Sequence, residues 1–128
     1  MMRGMNILVT FINFIKRYWI SITLFLLTVI TIFSLSPLKE LPPVPGGDKV
    51  HHFIAYAMLM LPTALRKPKY GIIIGLFFIG WSGGIELIQP FVNRYGELQD
   101  LAANITGLAC GLLIAKFINW LVADNSIT

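Results

Sequence analysis

Residues 70–91 read YGIIIGLFFIGWSGGIELIQPF, 22 positions with one ionisable side chain, Glu86. A helix needs about 20 mostly apolar residues to cross the hydrocarbon of a bilayer, and this stretch supplies them. Three others resemble it. Trp19–Leu35 runs 17 residues without a charge and is closed by Ser36-Pro37. Residues 50–65 give 16, with His51 and His52 at the start, Pro62 near the end and Arg66 just beyond. Leu101–Val122 gives 22, interrupted by Lys116, whose stem can reach an interface while its head stays wet. The sequence therefore predicts an all-α integral membrane four-helix bundle.

The whole chain has the same balance. Of its 128 residues 56% are hydrophobic and 12% charged, with a mean hydropathy of +0.76. Soluble domains carry about 25% charged residues, so both a water-facing globule and a disordered chain are excluded. Ten basic and six acidic residues leave a net charge of +4. In so apolar a chain that excess reads as membrane topology rather than as a nucleic-acid surface. The single cysteine, Cys110, lies in an apolar run and reads as a small packing residue.

Residues 1–17 form an N-terminal amphipathic segment and residues 18–124 the membrane domain. Asn6, Thr10, Asn13 and Arg17 recur at intervals of 4, 3 and 4 on an otherwise apolar helix. Such a narrow polar stripe suits an interfacial helix, or one that extends the first span. A cleaved signal peptide is the competing reading, and Pro37 directly after the small residues Ser34 and Ser36 argues against it. Four prolines between residues 37 and 45 forbid a continuous helix in the first loop. With the N-terminus inside, seven basic residues fall on the cytoplasmic side (Arg3, Lys16, Arg17, Arg66, Lys67, Lys69 and Lys116). Three fall outside, namely Lys39, Lys49 and Arg94. The positive-inside rule thus places both termini in the cytoplasm.

On that topology the remaining polar residues gather at the outer ends of three helices. Asp48, His52 and Tyr56 are spaced by four and share a face. Glu86 and Gln89 form an i, i+3 pair, and Arg94 follows in the turn. Asp100, Asn104, Gly107 and Gly111 share a face of the fourth span. A charge at the bilayer centre costs about 2.5–3.5 kcal/mol on insertion scales. Glu86 lies roughly 7.5 Å below the outer end, deep enough to call for a partner such as Arg94 or a histidine. Simpler readings stand beside these: Asp48 and Asp100 as helix caps, His51 as an interfacial residue, Glu86 with Arg94 as a structural ion pair. Gly107 and Gly111 read as a small-xxx-small close crossing.

The order Asp48-Lys49-x-x-His52-Phe53-x-x-Tyr56, then Glu86-x-x-Gln89, then Arg94, then Asp100-x-x-x-Asn104-x-x-Gly107 resembles the VanZ-like family. These are small bacterial membrane proteins, named for a member associated with teicoplanin resistance. The likeness covers about residues 30–122. His51 adds a second histidine beside the motif, and the turn from Asn93 to Gln99 departs from the family pattern. The resemblance implies a bacterial inner-membrane, cell-envelope setting without supplying a reaction.

Three functions are open at this level. In the first, Lys49, His52 and Arg94 hold an anionic lipid or cell-wall precursor head group, with Tyr56, Glu86, Gln89, Asp100 and Asn104 orienting it. In the second, a membrane-embedded enzyme uses His52 as general base, oriented by Asp48, with Glu86 as acid, on a lipid-linked phosphoester or acyl substrate. Ser82 is the nearest nucleophile. In the third, the polar residues only bind helices together. No cofactor is expected. A metal held by His52, Glu86 and Asp100 has no compact ligand motif behind it, and no nucleic-acid partner is expected.

Overall fold

The computed structural model describes residues 2–35, 48–89 and 98–126, and every element among them is helical. In chain order these are α1 (Met2–Arg17), α2 (Trp19–Leu35), α3 (Asp48–Arg66), α4 (Gly71–Ile88) and α5 (Leu98–Ser126). The four apolar stretches of the sequence coincide with α2 to α5. Pro62 sits inside α3 without ending it.

The surface confirms what solvent the chain is built for. Ile72 is 82% exposed and Leu87 77% exposed, and large apolar side chains lie open on all five helices. A monomer in water rarely shows so much continuous apolar surface. By length and apolarity α4 and α5 qualify as membrane spans. The helices from Asn6 to Arg17 and from Trp19 to Leu35 qualify only as a pair, and they are bent by 76° at Tyr18. The structure thus supports two spans, or three if the bent pair counts as one, where the sequence predicts four.

α3 falls short on apolarity because of where it sits. Its residues Tyr56, Leu59, Met60, Pro62, Thr63, Ala64 and Leu65 are all buried, packed on by α1, α2 and α5. A helix enclosed by other helices faces little lipid, so polar residues along it carry a smaller penalty than on α4.

The main packing contact joins α3 to α5. Asn119 Nδ2 donates to the Leu65 carbonyl at 3.2 Å, while Gly107 lies against Phe53 and Gly111 against Ala57. The partners advance together along both chains, so α3 and α5 run parallel. The glycines make this possible. A Cβ at Gly107 would meet the Phe53 carbonyl oxygen, with Ala57 N at 3.2 Å, and one at Gly111 would meet the Ala57 carbonyl oxygen. The small-xxx-small reading of the sequence is therefore correct, and α3 is the helix it serves.

α1 leaves the line of α2 and packs Ile12 into the core, while Asn6, Thr10 and Asn13 stay exposed. Ile30, Leu59, Leu65, Phe78, Leu108 and Ala115 complete a core to which all five helices contribute. The α3–α4 turn begins at Lys67, whose φ of 54° is left-handed. Lys67 N–H donates to the Thr63 carbonyl at 2.9 Å, and Pro68 follows. Glycine is the usual residue at such a helix end, and a side chain there costs roughly 1–2 kcal/mol.

Overpacking a close crossing destabilises by about 1–3 kcal/mol. Gly107→Ala and Gly111→Ala are each expected to lower the stability of detergent-solubilised protein by that amount, read as loss of helical circular dichroism on heating. Gly80→Ala, where a new Cβ meets nothing within 4 Å, is the control and leaves the transition in place.

Candidate functional site

The four residue types that meet inside the bundle come from three helices. α3 supplies Tyr56, α4 supplies Ser82 and Glu86, and α5 supplies Asn104. Asn104 Nδ2 donates to Ser82 Oγ at 2.6 Å. The Tyr56 hydroxyl lies beside that of Ser82, and the Glu86 carboxylate is near enough for its charge to act on Tyr56. Tyr56 is 1% exposed, Ser82 0% and Asn104 1%. An unpaired polar group is costly in such a setting, so the three side chains pin one another. Asn104 Oδ1 is buried with no hydrogen-bond partner among the described residues.

Local geometry explains why these positions meet. Ser82 and Glu86 are one turn apart and share a face of α4. The α3–α5 crossing brings Asn104, one turn before Gly107, close to the α3 backbone. Tyr56 adjoins Ala57, which touches Gly111. The close crossing that the glycines permit thus carries Tyr56 and Asn104 to the same hydroxyl.

The remaining polar residues singled out in the sequence are placed differently from one another. His52, one turn before Tyr56, is half-buried, and both His52 and Glu86 are engaged by neighbours. His51 is exposed. Gln89 is buried but donates from Nε2 to the Ser34 carbonyl of α2 at 3.1 Å, leaving Oε1 with no hydrogen-bond partner among the described residues. One half of Gln89 is therefore committed to tying α4 to α2. Asp48, Lys49 and Asp100 lie in the first turns of α3 and α5, with their side chains outside what the structure describes. Arg94 lies outside the described residues altogether. Among the described residues no three His, Cys, Asp or Glu side chains gather as metal ligands.

Sequence reasoning gave Ser82 too small a part. It entered as a nucleophile candidate, whereas in the structure it is the hub on which Asn104 and Tyr56 converge. Its spacing from Glu86 was the available signal. Thr31 and Ser34 on α2 were also missed: Trp81 Nε1 donates to Thr31 Oγ1 at 2.9 Å, beside the Gln89–Ser34 contact. Both are small polar residues in a charge-free span, spaced i, i+3 on the helix face that meets α4.

If Ser82 is the hub, Ser82→Ala removes a partner from two buried groups and Tyr56→Phe from one. The first is expected to cost about 1–2 kcal/mol and the second about 0.5 kcal/mol, read from denaturant unfolding in mixed micelles. Equal losses would dismiss the hub.

Comparison with known proteins adds one positive finding. No curated protein and no solved structure matches the chain. The family described as VanZ/LLP1 matches residues 2–119. That span holds all five helices but the end of α5 and every residue of the buried cluster. The chain belongs to the VanZ/LLP1 family.

Proposed function

We propose that this protein is a four-span VanZ-type component of the bacterial cytoplasmic membrane, with both termini in the cytoplasm. Its polar site, at the outer ends of α3, α4 and α5, binds the anionic head group of a membrane lipid or cell-wall precursor. The observation that carries this reading is the convergence of Tyr56, Ser82 and Asn104 from three helices, with the Glu86 carboxylate near enough for its charge to act on Tyr56. Simple helix adhesion needs one pair. Here a phenol, a hydroxyl and an amide converge, with a carboxylate one helical turn from the hydroxyl, below the helix ends that carry Lys49, His52 and Asp100. Arg94 and Lys49 would take the phosphate oxygens, Arg94 through its planar fork. His52, Glu86 and Asn104 would orient those groups. A site entered from the outer leaflet past Lys49, His52 and Asp100 fits a role in tolerance of teicoplanin.

The catalytic alternative is disfavoured by the state of Ser82. A nucleophile has to reach its substrate, and Ser82 is fully buried between Asn104 and Tyr56. With Ser82 withdrawn from substrate, the enzymatic reading is left with attack by water on a lipid phosphoester, His52 acting as general base.

Purified protein in nanodiscs, offered a labelled polyprenyl pyrophosphate, is expected to bind it. Binding is expected to weaken at least tenfold in Arg94→Ala and several-fold in Glu86→Gln, with no phosphate released. Release of phosphate that His52→Ala abolishes would replace this reading with the enzymatic one. Binding no stronger than to phosphatidylcholine would leave the cluster a structural role.

A further inference from the structure

At the opposite end of the bundle an open cleft of about 680 Å3 lies between α3, α4 and α5. Its walls are apolar, formed by Met60, Leu76, Ile79, Leu108 and Leu112, and Lys67, Lys69 and Lys116 stand on it. The volume lies within the range of about 300–1,000 Å3 usual for small-molecule sites. We propose that this cleft seats one anionic phospholipid from the leaflet at that end, an acyl chain along the apolar walls and the phosphate among the three lysines. The proposal does not rest on the outer-end site.

Four observations favour this occupant. First, the lining is sorted as the lipid is: apolar along the helices, cationic where α3 turns into α4. Basic pockets between membrane helices recognise anionic head groups in this way. Second, Thr63 lines the cleft, is wholly buried, and its Oγ1 has no hydrogen-bond partner among the described residues. Thr10, Thr28, Thr31 and Thr106 each donate to the carbonyl four residues back. Thr63 does not, which leaves an unsatisfied polar group in the wall of the cleft.

Third, Lys67 occupies a left-handed position that glycine would fill without strain. A strained residue on a ligand-sized cleft is the arrangement expected where the side chain serves a ligand. Fourth, positive charge is crowded here. Lys16 lies close enough to Lys67 and Arg66 to feel both, and its ammonium is held below the usual lysine range, first by burial and then by those charges. An anion in the cleft relieves that repulsion. The cleft also has room for a blocking side chain: a Cβ at Gly75 meets only the Met60 thioether end, at 3.9 Å.

Native mass spectrometry of the full chain in detergent tests the proposal, with phosphatidylglycerol and phosphatidylcholine of identical chains as probes. Wild-type protein is expected to retain one phosphatidylglycerol with at least tenfold preference. Lys67→Gly, which also relieves the left-handed strain, is expected to raise the melting temperature while cutting that preference at least fivefold. Lys116→Gln is expected to cut it as well. Gly75→Leu keeps every lysine and is expected to lose the bound lipid. Equal retention of the two lipids, or wild-type retention by Gly75→Leu, would overturn the site in favour of general annular contact. Displacement by glycerol phosphate as readily as by the lipid would overturn the role of the apolar walls.

Discussion

Backbone-to-backbone contact between α3 and α5 is the constraint on which the rest of the molecule depends. In a bilayer, lipid tails are as apolar as leucine, so helices gain little by hiding hydrophobic side chains from them. What remains is close packing and internal hydrogen bonding. Glycines at 107 and 111 bring α5 against the main chain of Phe53 and Ala57, and that short separation sets where every other helix can lie. α1 and α2 pack on α3. α4 closes another side at the Ser82 end and leaves a cleft at the Lys67 end.

The buried polar cluster follows from the same crossing. Ser82 would be a lone hydroxyl on α4 if Tyr56 and Asn104 did not arrive together from the two close-packed helices. Hydrogen bonds of this kind contribute modestly one at a time, about 0.6 kcal/mol on average. Their larger effect here is to fix rotation about each helix axis. With Tyr56, Ser82 and Asn104 locked, Glu86 one turn beyond Ser82 and His52 one turn before Tyr56 have defined places. The Gln89–Ser34 and Trp81–Thr31 contacts do the same for α2 against α4.

Much of this was legible in the sequence, for physical reasons that differ by element. The extents of α2, α4 and α5 could be read because lipid-facing helices must be apolar along their whole length. α3 was harder to place as a span, since enclosure of its Tyr56–Leu65 half by its neighbours excuses its low apolarity. The spacing of Gly107 and Gly111 announced a close approach, while the identity of its partner did not follow, because Phe53 and Ala57 take part through main-chain atoms that every residue possesses. Tyr56 and Asn104 were legible as polar residues at helical spacing. The structural use of Gln89 was not, as an amide can face a ligand or a carbonyl with no change in sequence signal. Asp48, Lys49 and Asp100 are placed as far as their helix turns, and Arg94 belongs to a stretch that the described residues do not include.

The α3–α5 crossing also distributes tolerance to change unevenly. The nearest atoms that a methyl at 107 or 111 would strike belong to the peptide groups of α3, which no codon can trim or enlarge. Relief therefore cannot come from a compensating exchange at Phe53, whose ring is no party to the conflict. A lineage that lost either glycine could regain the fold only by sliding or tilting a whole helix. Paired substitutions between 53 and 107 should thus be rare among related chains, even though the two residues touch. The tightest joint in the molecule would leave almost no trace in patterns of correlated change.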